Sequence, residues 1–149
     1  MTFPYSANLG DRDPLEVLAS TAAKIAALNP ARYSTPWAPG KWTCGQIIAH
    51  LADCEVAFAF RLRQAAAEPN YTVQSFDQDL WANSYPTVDP AAALAVFLSV
   101  RAWLVPFLRA LPPAVFEKSV NHPEFGEMKF RNIVEIVAGH DLNHLAQLS

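Results

Sequence analysis

The sequence predicts an all-α protein, a bundle of four helices, on three observations. Helix-start chemistry occurs at Asp13-Pro14-Leu15-Glu16, at Thr43-Cys44-Gly45-Gln46 and at Asp89-Pro90. Behind these starts apolar residues recur every three or four positions, the period of one helical face and not the period of two that marks a half-buried strand. No βαβ alternation, internal repeat or low-complexity stretch interrupts them, and polar connections between four helices make an antiparallel bundle the natural packing.

The first helix begins with an acidic N-cap at Asp13, a proline at the first helical position and Glu16 placed as a capping-box acid. Leu15, Leu18, Ala22, Ile25 and Leu28 supply its apolar stripe until Asn29-Pro30 ends it. After the loop ARYSTPWAPGKW, Thr43 followed by Gln46 opens a second helix that runs to about Ala67. The polar stretch from Asn70 to Val88 contains FDQDLWAN, which suits a short helical turn. Asp89-Pro90 opens a third helix to about Leu111, with Pro106 inside it as an expected kink. The segment PPAVFEKSVNHPEFGEMKF alternates loosely around Gly126 and reads as a hairpin or a loop. A fourth helix follows from about Asn132, with Ile133, Ile136, Val137, His140, His144 and Leu148 on one side. Its entry, Lys129-Phe130-Arg131, lacks a Ser or Thr cap and is expected to fray.

The composition narrows the classes of function. The chain has 149 residues, 52% hydrophobic and 17% charged, which suits one domain with a sizeable core. Its net charge of -3 and eleven scattered Lys and Arg residues give no basic face for nucleic acid. The opening MTFPYSANLGDRDP is polar, acidic and broken by proline, unlike a signal peptide, and no uncharged run reaches the roughly 18 to 20 residues of a membrane span. A cytoplasmic protein with no membrane partner is expected. Cys44 and Cys54 share the second helix, about 15 Å apart, and read as free thiols.

The segment HDLNH at positions 140 to 144 holds two of the four histidines one turn apart, so both rings leave the same helical face. Two rings seldom suffice, since catalytic zinc-type sites use three protein ligands and keep one position open. His50, within IIAHLADC on the apolar stripe of the second helix, is the third candidate. Three inward histidines need three separate partners, whereas one divalent ion satisfies them all. Buried, hydrogen-bonded core histidines are the alternative on this pattern alone. A zincin requires Glu after its first histidine, and Asp141 stands there. No Glu-x-x-His pair, CxxC, GxSxG or GxxxxGK occurs.

The segments KWTCGQIIAHLADCEVAFAFRLRQ and HPEFGEMKFRNIVEIVAGHDLNHLAQL together resemble the DinB/YfiT-like metalloenzyme superfamily. The first is similar to its second helix, with HLADSE-like residues and a following Arg-Leu pair. The second is similar to its closing stretch, with an FGE-like turn and a terminal HDxxHLxQ helix. The resemblance covers about a third of the chain. It implies an up-down-down-up four-helix bundle and a divalent ion held by His50, His140 and His144, with zinc or nickel the leading metals and iron also suited to imidazoles. It further implies a transferase or hydrolase that activates a low-molecular-weight thiol or water against a small-molecule substrate. The alternative is a non-enzymatic, stress-associated module with a structural ion, and a homodimer is expected in either case.

Supporting residues follow from position. Arg61, eleven residues after His50 on the same stripe, is a candidate anchor for an anionic group of substrate or cofactor, with a salt bridge to Glu55 or Asp53 as the alternative. Asp53 and Asp141 are candidates to orient ligand rings, with exposed helix carboxylates as the alternative. Cys54 reads as a small buried hydrophobe and His122 as a surface histidine. Trp37, Trp42 and Trp81 read as packing residues, with Trp81 and Tyr85 as walls of a pocket the alternative. Gly139, costly in a helix by about 1 kcal/mol, implies close packing of the second helix against the fourth.

Overall fold

The computed structural model describes residues 3–149. Four long helices form it: α2 (Pro14–Ala26), α3 (Cys44–Ala67), α5 (Pro90–Ala110) and α7 (Phe130–Leu148), with short helices α1 (Ser6–Leu9), α4 (Gln78–Ala82) and α6 (Pro113–Phe116) between them. The expected starts lie where local chemistry put them. Asp13 Oδ1 accepts from the backbone N–H groups of Leu15 and Glu16 at 2.8 and 3.1 Å. Thr43 and Gln46 close a reciprocal capping box at 3.2 and 2.8 Å, and Asp89 accepts from Ala91 N. Glu16 does not complete a box; its carboxylate pairs with Arg109 on α5. The start of α7 is capped from inside, because Asn132 Oδ1 accepts from Lys129 N–H at 2.8 Å. The expected fraying is therefore corrected: the amide at the third helical position accepts from the N–H of the N-cap residue, and Phe130 N–H donates to Lys118 O at 2.9 Å, so two donors of the first turn are satisfied without a Ser or Thr cap.

Side-chain pairings establish the helix directions. Gly45 meets Pro90, and Glu55 meets Arg101, so α3 and α5 run parallel. Thr21 meets Asp141, and Arg32 just beyond α2 meets Leu148, so α2 and α7 run parallel. Arg109 with Glu16, and Arg101 with Leu18, set α5 antiparallel to α2. The topology is up-down-down-up. The uncertain connection between α5 and α7 is a hairpin, β1 (Ser119–His122) with β2 (Gly126–Lys129), in which Val120 pairs with Met128 and His122 with Gly126. The loop after α3 runs beside it, with Val73 N donating to Asn121 O at 2.8 Å and Asn121 N donating to Tyr71 O at 2.9 Å. The turn at FDQDLWAN is α4, capped by Asp77.

Two apolar clusters make the core. One gathers Leu18, Leu62, Leu104, Phe130, Val134 and Val137; the other gathers Ile25, Ile47, Ile48, Phe97 and Leu148. Along α2, α5 and α7 the residues at the boundary between them are polar: Thr21, Arg101, His140, Asp141 and His144, all buried. One helix among the described residues, α5, is long and apolar enough to cross a membrane, which the sequence reading did not anticipate. Arg101 at its middle is held in ion pairs inside the bundle, while Val96 and Trp103 face outward.

Gly139 is explained by a different neighbour from the one expected. A Cβ there would lie 2.4 Å from the carbonyl oxygen of Tyr5, so the N-terminal segment, not α3, presses on α7 at this point. Tyr5 itself has φ 61°, a left-handed conformation that a bulky residue adopts only when its surroundings hold it. Gly139→Ala is expected to displace this segment, with a net loss of about 1 kcal/mol after the gain in helix propensity is offset. Thermal unfolding together with limited proteolysis of residues 3–12 checks it.

Candidate metal centre

α3 contributes His50, and α7 contributes His140 and His144, all buried. His50 Nε2 lies 3.0 Å from His140 Nε2, which lies 3.2 Å from His144 Nε2. Donors about 2.1 Å from a common ion stand roughly 3.0 to 3.4 Å apart; both contacts to His140 have that spacing, and all three ligand atoms lie within 4.8 Å of one another.

The hydrogen-bond partners identify the free nitrogens. Gln147 Oε1 accepts from the Nδ1–H of His144 at 2.7 Å. The Tyr85 hydroxyl lies 3.3 Å from His50 Nδ1 and beside the Asp53 carboxylate. Burial, and then the charge of Asp53, hold the Tyr85 phenol above its ordinary value. It therefore keeps its proton, donates a hydrogen bond to the Asp53 carboxylate and accepts one from His50 Nδ1–H. With their ring protons placed on Nδ1, both His50 and His144 present bare Nε2 lone pairs toward His140. One proton on His140 Nε2 cannot serve two such contacts, and a single cation resolves all three. Burial, with the neighbouring rings adding to it, pushes His50 down to about 3 and His140 well below the usual histidine range; burial also lowers His144. All three are neutral at neutral pH, the form that ligates metal.

Behind the rings lies a network that the sequence reading did not find. Arg101 Nε and Nη2 donate to the two carboxylate oxygens of Glu55 at 2.8 and 2.7 Å, a bidentate pair. Nη1 and Nη2 also donate to Asp141, and Nη1 donates to Leu18 O and Thr21 Oγ1, both at 3.1 Å. Thr21 donates in turn to Asp141. One residue from each long helix is thus joined at a single guanidinium. Burial disfavours its charge, but Asp141 and Glu55 outweigh burial and raise Arg101 above its ordinary value. The one signal in the sequence was Arg101 itself, a lone charge within AAALAVFLSVRAWLVPFL.

Several expectations change. Asp141 is neither exposed nor bonded to a ligand ring; it braces α7 from the opposite side. Asp53 reaches His50 only through Tyr85, which stands beside the converging histidines and lines a different cavity from Trp81. Trp81 stacks on Phe76 at 4.4 Å, while Trp42 packs on His50 and Tyr85. Trp37 is substantially exposed. Arg61 has no carboxylate partner within salt-bridge range among the described residues, because Glu55 is taken by Arg101; it donates to Gln74 O at 2.8 Å and lies over the rings of Phe58 and Phe76. Cys54 Sγ sits 3.6 and 3.7 Å from the two nitrogens of His50, beside the ring edge and outside the converging set. Burial pushes its thiol up to about 12, and Cys44 and Cys54 are both free and buried. His122 is half-buried, stacked on Phe125, and apart from the other three histidines.

A sequence model of the DinB superfamily matches residues 16–148, the bulk of the chain and all three converging histidines. The chain belongs to the DinB superfamily. A DinB relative from Bacillus mycoides, named "Putative metal-dependent hydrolase", is 31% identical over 129 residues, 86% of this chain and 75% of that protein. A similarly named protein of Oceanobacillus iheyensis is 31% identical over 123 residues, 82% of this chain and 72% of the other. Among solved structures, YfiT from Bacillus subtilis, described as a probable metal-dependent hydrolase with an unusual four-helix bundle topology, superposes with a TM-score of 0.80 at 23% identity. That match covers 91% of this chain and 81% of YfiT. A mycothiol-dependent maleylpyruvate isomerase has the same fold at TM-score 0.68 and 16% identity, with this DinB chain spanning 64% of it.

Proposed function

We propose that this protein is a metal-dependent hydrolase or thiol transferase whose divalent ion is held by His50, His140 and His144. The observation that carries the reading is the convergence of three neutral Nε2 atoms, two of them with their ring protons committed elsewhere. Bound there, a divalent ion supplies Lewis acidity that makes a coordinated water or thiol a nucleophile near neutral pH. Tyr85 and Gln147 hold two rings in the ligating tautomer, Arg101 and its partners brace α7, and Tyr5, Phe58 and Trp42 pack around the imidazoles and keep bulk water from them. Three protein donors leave a position for the nucleophile. Zinc and nickel are the first metals to test, with iron next. The names of the relatives support hydrolysis, and the thiol-dependent isomerase of the same fold supports a low-molecular-weight thiol as cofactor.

A structural ion is the second reading, favoured by the burial of all three rings at 5% exposure or less. Metal analysis, thermal stability and turnover separate the two. Purified protein is expected to carry about one transition-metal ion, and His144→Ala is expected to lose it and the thermal stabilisation that the ion confers. Ester and amide cleavage, assayed beside conjugation of a thiol to an electrophile, then tells hydrolase from transferase. If no metal binds to wild type, the site reading fails; if metal binds and neither reaction occurs, the structural reading takes its place.

A further inference from the structure

A cavity of about 190 Å³ opens between α3, the hairpin, α7 and the N-terminal segment. Tyr5 and Phe58 belong to its lining, and the same two rings pack edge-on against His140 at 5.3 and 5.7 Å, so one layer of aromatic side chains separates the cavity from the converging histidines. Its walls are mostly apolar, with Phe76, Phe125 and Ile133 prominent, and Ser75, Gln78 and His122 add polar groups. Its strongest inward charge is Arg61, half-buried and held by Gln74 O and two aromatic faces, with no carboxylate in salt-bridge range among the described residues. The other charged lining residue, Glu124, is exposed, and its charge acts on Arg61 through a solvent that weakens it. Burial works against the Arg61 cation and lowers it from its ordinary value, so an anion brought against it recovers part of the solvation lost.

We infer that this cavity binds a small amphipathic monoanion, a carboxylate on an aromatic or alkyl body, with Arg61 as its anchor and the exposed charge of Glu124 tuning its affinity. The volume suits a ring or a short acyl chain and is below the usual range for nucleotide-sized or drug-sized ligands. Calling this monoanion the substrate rests on the catalytic reading above; its binding does not. Anchored at Arg61, such a molecule directs its apolar end toward the Tyr5 and Phe58 partition and the histidines behind it.

The test uses the full chain and two probes, phenylacetate and its neutral isostere phenylacetamide, titrated by calorimetry or ligand-observed NMR. Phenylacetate is expected to bind about tenfold more tightly than the amide, and Arg61→Met, which keeps the apolar stem, is expected to abolish that preference. Glu124→Gln is expected to tighten phenylacetate about twofold at low salt, with the gain shrinking as salt rises. Equal affinity for acid and amide, or a preference that survives Arg61→Met, overturns the inference. Should Arg61→Met not fold, a Glu124→Gln variant with unchanged affinity and no salt dependence overturns it instead. His144→Ala separates this inference from the function proposed above: phenylacetate binding that persists without metal leaves the cavity assigned, while metal binding without any phenylacetate binding removes this inference alone.

Discussion

Arg101→Met is expected to destabilise the fold by about 3–5 kcal/mol, because it leaves Glu55 and Asp141 as buried carboxylates with no cation between them. Both carboxylates and the guanidinium are 2% exposed or less, so neither water nor salt can take over its role. Methionine fills a similar volume, which makes the loss electrostatic and not a matter of cavity formation. Burial already pushes Glu55 up from the usual carboxylate range against the pull of Arg101, and removing that pull is expected to raise it further. Urea denaturation of the metal-free protein measures the effect. The partner variant, Arg101→Met with Glu55→Gln and Asp141→Asn, removes every charge and is expected to recover a large part of the loss. A single-variant loss below about 1 kcal/mol would show that the network does not brace the bundle.

The metal-free protein is expected to lose stability steeply as pH falls. His50 is pushed down to about 3, His140 well below the usual value and His144 below it as well, each from an ordinary value of 6.5. Unfolding frees these rings to take protons that the folded state refuses. Their contribution is therefore complete above pH 6.5 and is lost as pH falls toward 3. Each ring contributes a slope of at most about 1.4 kcal/mol per pH unit, so three together cannot exceed about 4 kcal/mol per unit, with His50 and His140, the more strongly shifted, carrying most of it. Glu55 acts in the opposite sense: its raised value adds stability below about 4.5 that is lost as pH rises, one group against three. Denaturation midpoints between pH 7.5 and 5 check the slope, and His140→Gln is expected to flatten it by up to about 1.4 kcal/mol per unit. Bound metal must be displaced before the rings can protonate, so the loaded protein is expected to hold its stability to lower pH. A metal-free protein equally stable at pH 7.5 and 5 would exclude neutral, uncharged rings at the centre.

What could be read from the sequence was mostly local or self-announcing. Asp13, Thr43 with Gln46, and Asp89 satisfy their own helix ends within three residues, so their roles needed no knowledge of the fold. The cap at Asn132 was equally local and was missed because it reaches backward from inside the helix. The three histidines could be read because each lay on an apolar face where an unpartnered ring is costly. Arg101 was visible as a charge in an apolar run, but its partners on α2, α3 and α7 follow only from the parallel pairing of α3 with α5. Gly139 was noticed and assigned to the wrong neighbour, since a contact with Tyr5, more than a hundred residues away, leaves no trace in local spacing. Tyr85 reaches the histidines from a short turn after α4 that packs on α3, a tertiary contact of which periodicity gives no hint.

His50 and His140 touch across a separation of 90 residues. An ion joining them is then a removable cross-link that closes most of the chain into a loop, and it restricts the unfolded ensemble as a disulfide of that span would. The consequence belongs to the time course of folding: the ligand set is complete only after α7 docks on α3, so metal capture is among the last events on the way in. On the way out, release of the ion becomes the step that sets how long the fold survives, and a chelator should shorten that lifetime far more than it shifts any spectrum of the intact bundle.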